Sequence, residues 1–151
     1  MKKLFLLLLL SNTLFAQITS YEKSKGQETA TYDEVIRFYQ ALDQKYDQAT
    51  LLEVGTSDIG KPLHLFVLSA NKVFKPQADK VTLLINNGIH PGEPEGIDAS
   101  MMWARELLEK KLLPANVLLC IVPVYNIDGI LNRRVTRNNH NGTNSYWLRE
   151  K

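Results

Sequence analysis

A chain of 151 residues holds one domain of ordinary size, and its 44% hydrophobic and 23% charged composition is that of a globular protein, which excludes disordered and coiled-coil classes. The formal charge is +2, but Lys2 and Lys3 lie in a segment read below as removed, so the remaining chain is balanced and no nucleic-acid partner is expected. The single cysteine, Cys120, excludes an internal disulfide framework and any Cys-based zinc cluster; a metal site here must draw on His and carboxylates.

Residues 1–16 read as a secretory signal peptide. Lys2 and Lys3 give the positive start, Leu4 to Leu10 is an unbroken apolar run, and Ser11 to Ala16 ends in a small residue before Gln17, although Leu14 departs from the small residue usual three places before a cut. A helix needs about 20 apolar residues to cross a bilayer, and no later segment approaches that, so no permanent membrane anchor is expected. No cysteine follows the run, which excludes lipoprotein attachment. The expected destination is export, to a periplasm or the medium.

The mature chain, 17–151, has no internal repeat, low-complexity tract or dividing linker and reads as one unit. Thr31 to Glu34 is a capping-box pattern followed by Val35, Phe38, Tyr39, Leu42 and Tyr46 at helical spacing, which predicts a helix over 32–46. Leu51 to Thr56 and Leu63 to Ser69 are β-rich runs around the turn-like Asp58-Ile59-Gly60-Lys61, the pattern of an antiparallel hairpin. Val81 to Asn86 is a nearly continuous apolar strand. After the loop Asn87 to Pro94, a helix follows with Ile97, Met101, Ala104, Leu108 and Leu112 on one face, ended by Pro114. Val117 to Val122 is wholly apolar, as in a strand covered on both faces, so strand, helix and strand form a right-handed parallel crossover. The class predicted is α/β, a mixed sheet with helices on both faces.

Chemistry concentrates after the third strand. His90-Pro91-Gly92-Glu93 sets an imidazole and a carboxylate three positions apart on a turn that Pro91 and Gly92 make tight, just before a helix. Open α/β sheets bind ligands beyond the carboxyl ends of their strands, and imidazole nitrogen with carboxylate oxygen is a donor set that catalytic zinc accepts. The spacing is short and common, however, and the same residues also read as a loop histidine bonded to a glutamate that caps a helix.

With its flanks, Ile89-His90-Pro91-Gly92-Glu93-Pro94-Glu95-Gly96 resembles the first zinc-ligand motif of the carboxypeptidase A-like metallocarboxypeptidases. Gly55-Thr56-Ser57 with Gly60-Lys61-Pro62-Leu63 is similar to that family's strand, Gly-rich turn and strand. Pro123-Val124-Tyr125-Asn126-Ile127-Asp128-Gly129 resembles its Asn-Pro-Asp-Gly segment. Ile127 stands where the family usually has Pro, a mild departure if the turn rests mainly on Asp128 and Gly129. The resemblance runs from about residue 30 to the last residue, and the fold it implies is the phosphorylase/hydrolase-like fold of zinc carboxypeptidases. It also implies Zn2+ held by His90, Glu93 and a third ligand, a His on a later strand, with an Asn-Arg pair, a Tyr and a late Glu as general base. None of these later residues has a matching position in this sequence. Residues 17–151 are therefore expected to be a truncated, N-terminal portion of the domain, with an open sheet edge and an under-covered core, and inactive alone.

The implied activity is zinc-dependent removal of C-terminal residues from a peptide or a peptidoglycan stem. Between Gly129 and the last residue, Arg133, Arg134, Arg137, Arg149 and Lys151 face one acid, Glu150. A guanidinium there is able to stabilise a developing oxyanion. In the resembled family such an arginine follows an aromatic residue, which favours Arg149 in Tyr146-Trp147-Leu148-Arg149, with Arg137 as the alternative. Of the other histidines, His64 alternates with residues of the opposite strand face and reads as a sheet-surface residue, and His140 lies in a polar, turn-rich loop. Met101, Met102 and Trp103 read as packing on the helix, and Cys120 as a buried small hydrophobe. Three other functions fit the same residues: an amide deacylase of the aspartoacylase or succinylglutamate desuccinylase kind, a non-catalytic exported module that binds peptides or cell-wall fragments, and a secreted α/β domain in which His90 and Glu93 are structural.

Overall fold

The computed structural model describes residues 17–131. Residues 1–16, read from the sequence as a signal peptide, and the stretch bearing Arg137, His140 and Arg149 lie outside the described residues.

Two short-range capping boxes open the chain. Thr19 starts helix α1 (Ser20–Lys23) and Thr31 starts α2 (Tyr32–Lys45); in each the threonine hydroxyl accepts from the backbone of a glutamate three residues on, whose carboxylate reaches back to the threonine N–H. Helix α2 starts where predicted and ends one residue earlier, with Tyr46 as its extended C-cap, whereas four residues of α1 carry too little periodicity to be read. The hairpin forms as expected from β1 (Ala49–Thr56) and β2 (Pro62–Ser69), antiparallel, with a register shift between Glu53 and Gly55. Then come β3 (Val81–Asn86), α3 (Glu95–Glu109), β4 (Val117–Val122) and a short α4 (Ile127–Leu131).

The sheet has the order β1-β2-β4-β3, with β3 parallel to β4 and the other pairs antiparallel, so the mixed α/β class holds. Helix α3 ends at Glu109, before the expected stop at Pro114. Lys110 caps it, Lys111 takes a left-handed φ of 55°, and Leu112, predicted on the buried face, is exposed.

One core holds the fold. Val35, Phe38, Tyr39 and Leu42 of α2 and Ile97, Met101, Ala104 and Leu108 of α3 pack on Phe66, Leu68, Leu119 and Ile121. Ile127 and Ile130 of α4 join the same cluster. Because side chains alternate along a strand, these contacts put every helix with buried residues on one face of the sheet. The expectation of helices on both faces is corrected for the described residues. The opposite face carries a small cluster of Val67, Leu118 and Cys120, packed only by Leu65 and Phe74. Cys120 is buried as expected, and burial pushes its thiol pKa up. At the sheet's edge, β3 leaves Val81, Leu83 and Leu84 exposed.

The segment before α2 is tied to α3 by polar contacts. The Arg105 guanidinium donates to the Gln17 carbonyl at 2.5 Å and to both Glu22 carboxylate oxygens at 2.6 and 2.8 Å. Those bonds to Arg105 pull the Glu22 pKa down to about 2, against the opposing effect of partial burial. Asp98, fully buried near the start of α3, accepts from the Thr29 hydroxyl at 2.9 Å and the Ala30 N–H at 3.5 Å.

Candidate metal centre

The turn carrying His90 is fixed from beneath before its side chains are considered. The parallel β3–β4 pair brings both carboxyl ends together, so residues 87–89 run beside residues 124–126. Tyr125 N–H donates to Asn87 O at 2.8 Å, Asn126 N–H to Gly88 O at 2.9 Å, and the Asn126 side-chain amide to Ile89 O at 3.2 Å. Asn87 is buried, and its own side-chain amide exchanges two hydrogen bonds with the Ser100 hydroxyl of α3, at 3.0 and 3.3 Å. Gly88 sits at φ 65°, where glycine is unstrained, and a Cβ there would meet Ile97 Cδ1 at 3.1 Å.

The loop is also wedged from the other side. The carbonyl of His90 accepts from Glu93 N–H at 3.1 Å, closing the predicted tight turn, and Pro91 of that turn packs against Gly129 so closely that a Cβ on Gly129 would overlap the proline ring. Gly129 N–H in turn donates to the Asn126 side-chain oxygen at 2.9 Å. The segment expected to turn on Asp128 and Gly129 is instead the start of α4 with Asn126 as its cap, and Ile127 fills the core where a proline was expected. The role of Gly129 is to leave room for Pro91.

Upon this base His90 and Glu93 meet. His90 Nδ1 lies 3.1 Å from Glu93 Oε2, and about half or more of each side chain is open to solvent. Two donors held at 2.0–2.1 Å from a tetrahedral zinc ion stand roughly 3.3 Å apart. The observed spacing is that of an imidazole–carboxylate hydrogen bond, and it also lies within a few tenths of an ångström of the spacing that two ligands of one zinc would need. Of the alternative reading, the bond between His90 and Glu93 is present, whereas the helix cap is not, since α3 begins after Pro94 with no side-chain cap bond. Among the described residues, no group of three or more His, Cys, Asp or Glu side chains is arranged to hold a metal, so these two donors stand without a third.

Other features of this end of the sheet were not legible beforehand. A cleft of about 290 Å³ lies between the β1–β2 turn at Thr56, Ser57 and Asp58 and the wall formed by Ile89, Tyr125 and Asn126. His64 is not on the sheet surface as expected. It lies on the helix side of β2, paired across the hairpin with Glu53 and buried where Tyr32 of α2 covers it, with its pKa lowered by desolvation. It stands apart from His90. The pairings Asn87 to Ser100 and Pro91 to Gly129 gave no signal in the sequence beyond the presence of glycines at 88 and 129.

A zinc carboxypeptidase family model matches residues 35–146. No curated protein matches the sequence. Among solved structures, carboxypeptidase A from Helicoverpa armigera is 22% identical with a TM-score of 0.60, the match covering 76% of this chain and 31% of that one. The structure of thrombin-activatable fibrinolysis inhibitor is 20% identical with a TM-score of 0.61, over 85% of this chain and 35% of the other. A metallo-carboxypeptidase from Burkholderia cenocepacia is 25% identical with a TM-score of 0.53, over 70% and 30%. The chain thus spans about a third of the length of the structures it matches, and by fold and by sequence model together it belongs to the zinc carboxypeptidase family.

Proposed function

We propose that this chain is part of an exported zinc-dependent exopeptidase that removes C-terminal residues from peptides, with His90 and Glu93 as two of its metal ligands. The observation that carries this is the 3.1 Å approach of His90 Nδ1 and Glu93 Oε2 on a turn buttressed by Pro91 and Gly129. Family membership and the cleft beside Ile89 support it. A zinc ion bound there would supply Lewis-acid polarisation of a scissile carbonyl and a water acidified toward pKa of about 7. The chain's own part is to hold both donors at one exposed point and to present the wall from Ile89 to Asn126 to the substrate. Arg149, or Arg137 in its place, is proposed to stabilise the oxyanion of the attacked carbonyl. Peptides and peptidoglycan stems both have the free terminal carboxylate such an enzyme needs.

Structural zinc sites with full ligand sets are worth about 10–16 kcal/mol, so half a set gives about 5–8 kcal/mol, or a Kd of about 1–200 µM. The present chain is accordingly proposed to bind zinc weakly and to be inactive alone. Zinc titration with a competing chelator checks this: binding in that range, lost in both His90→Ala and Glu93→Ala, supports the assignment. Binding that survives both substitutions refutes it. For the parent enzyme, release of free C-terminal amino acids from blocked dipeptides, abolished by chelation and restored by zinc, is the expected result.

A further inference from the structure

Asn87 and Gly88, the joint between β3 and the His90 turn, form one of the two Asn-Gly pairs in the chain. Such a pair has a chemistry of its own: the glycine nitrogen, with no neighbouring side chain to shield it, is able to attack the asparagine side-chain carbonyl carbon and close a five-membered imide. Both residues are nevertheless needed where they stand. Gly88 has a φ of 65° and lies where a Cβ would press on Ile97. Asn87 uses both ends of its amide on the Ser100 hydroxyl of α3, Nδ2 at 3.0 Å and Oδ1 at 3.3 Å.

The pair is also held shut. Asn87 N–H donates to Val122 O at 3.2 Å, its carbonyl accepts from Tyr125 N–H at 2.8 Å, and Gly88 O accepts from Asn126 N–H at 2.9 Å, so the peptide unit between the two residues is fixed on both sides. Asn87 is only 5% exposed, and its Oδ1 lies over Gly96, where a Cβ would stand 2.9 Å away. Ring closure has to turn the Asn87 side chain and that peptide unit against one another, which breaks the two contacts to Ser100 and the bond to Tyr125. Three bonds of ordinary net worth slow the reaction by about 10–1,000-fold relative to an unfolded chain.

We propose that Asn87-Gly88 is a latent modification site: it converts to isoaspartate or aspartate when the joint between β3 and α3 opens, and Ser100 is the latch that keeps it closed. In the first step Gly88 N gives its proton to a base in the solvent and bonds to Asn87 Cγ while Cγ–Nδ2 breaks, and the amide nitrogen leaves as ammonia. Water then adds to one of the two imide carbonyls and opens the ring, with no change of oxidation state. Opening at one carbonyl restores the ordinary backbone with a carboxylate in place of the amide. Opening at the other routes the main chain through Cβ and Cγ, one carbon longer, or roughly 1.5 Å. Either product loses the Nδ2 donor to Ser100, and the longer backbone displaces residues 88–90 from their partners at 124–126. A passing local opening is thereby written permanently into the support of the His90 turn.

The test incubates the chain in mildly alkaline buffer, folded and in denaturant. After trypsin digestion the peptide from Val81 to Arg105 reports position 87 by its mass and isoaspartate content, apart from Asn141-Gly142. The folded chain is expected to convert about 10–1,000-fold more slowly than the denatured one. Ser100→Ala should raise the folded rate by about 5–100-fold, the worth of two hydrogen bonds. Ser100→Cys, which nearly keeps the volume but offers only a weak donor, should act in the same direction if the alanine variant loosens the core, and circular dichroism checks the fold of each. Isoaspartate-bearing chain should show shifted His90 imidazole signals by NMR and bind zinc about 10–100-fold more weakly than fresh chain. Equal rates in the folded and denatured chain, folded serine variants that convert no faster than the natural chain, or converted chain with unmoved His90 signals would overturn the proposal. The rates are read by mass alone, so the latch is judged separately from the proposed metal binding.

Discussion

Gly129→Ala isolates the buttress beneath the His90 turn. The backbone at Gly129 needs no left-handed conformation, so the substitution acts through space alone: the new methyl overlaps the Pro91 ring and crowds the Asn126 side chain. A proline ring in a tight turn has no rotamer into which it can retreat, unlike the Ile97 methyl that faces Gly88. Overpacking of this sort costs about 1–3 kcal/mol, which in a chain of this size lowers Tm by about 3–9 °C. The displaced turn also carries a metal ligand, and losses in the supporting shell of a metal site typically weaken affinity by about 10–100-fold. Thermal unfolding and zinc titration should therefore both move, although neither ligand was changed. Pro91→Ala removes the ring carbon in the way, so adding Gly129→Ala in that background should cost much less. An equal cost in both backgrounds, or no change in either reading, would refute the argument.

Two further outcomes concern stability. Glu22 is held at about 2 by Arg105, whereas an unfolded glutamate titrates near 4.3; the difference stabilises the fold by about 2–3 kcal/mol, fully present above pH 4.3 and lost as pH falls toward 2. Melting curves from pH 6 to 2 should thus fall more steeply for the natural chain than for Glu22→Gln, and parallel curves would count against the pairing. Asp98→Ala strips an acceptor from the buried Thr29 hydroxyl and the Ala30 N–H, and chemical denaturation should show a loss of about 2–4 kcal/mol; a loss under 1 kcal/mol would mean those groups find other partners.

The elements that were legible in the sequence are those whose signals are local. The Thr31 to Glu34 box and the spacing of Val35, Phe38 and Leu42 marked α2, and the uncharged runs Val81 to Asn86 and Val117 to Val122 marked β3 and β4 to the residue. The His90 to Glu93 turn was legible for the same reason. Misjudged features depended on partners distant in sequence. His64 alternates like a surface residue, but α2 happens to lie over that end of the hairpin. Leu112 continues the helical period, but the chain turns left-handed at Lys111 and takes it out of register. The face on which helices pack cannot be read from β4, because an apolar strand between two neighbours is uncharged whether helices or a single Phe74 covers its other side. Arg149 and Arg137 rest on resemblance alone.

Strand β3 both forms the sheet's open edge and leads directly into Asn87, Gly88 and the His90 turn. Its six residues carry no charge and no proline, the two devices by which edges usually discourage pairing. Any chain that zips onto this rim would stiffen the strand and, through its last residues, the hook from which the imidazole hangs. Closing the seam and tuning the grip on metal would then be one event, and amide exchange along Val81 to Asn86 would slow in step with tighter zinc retention.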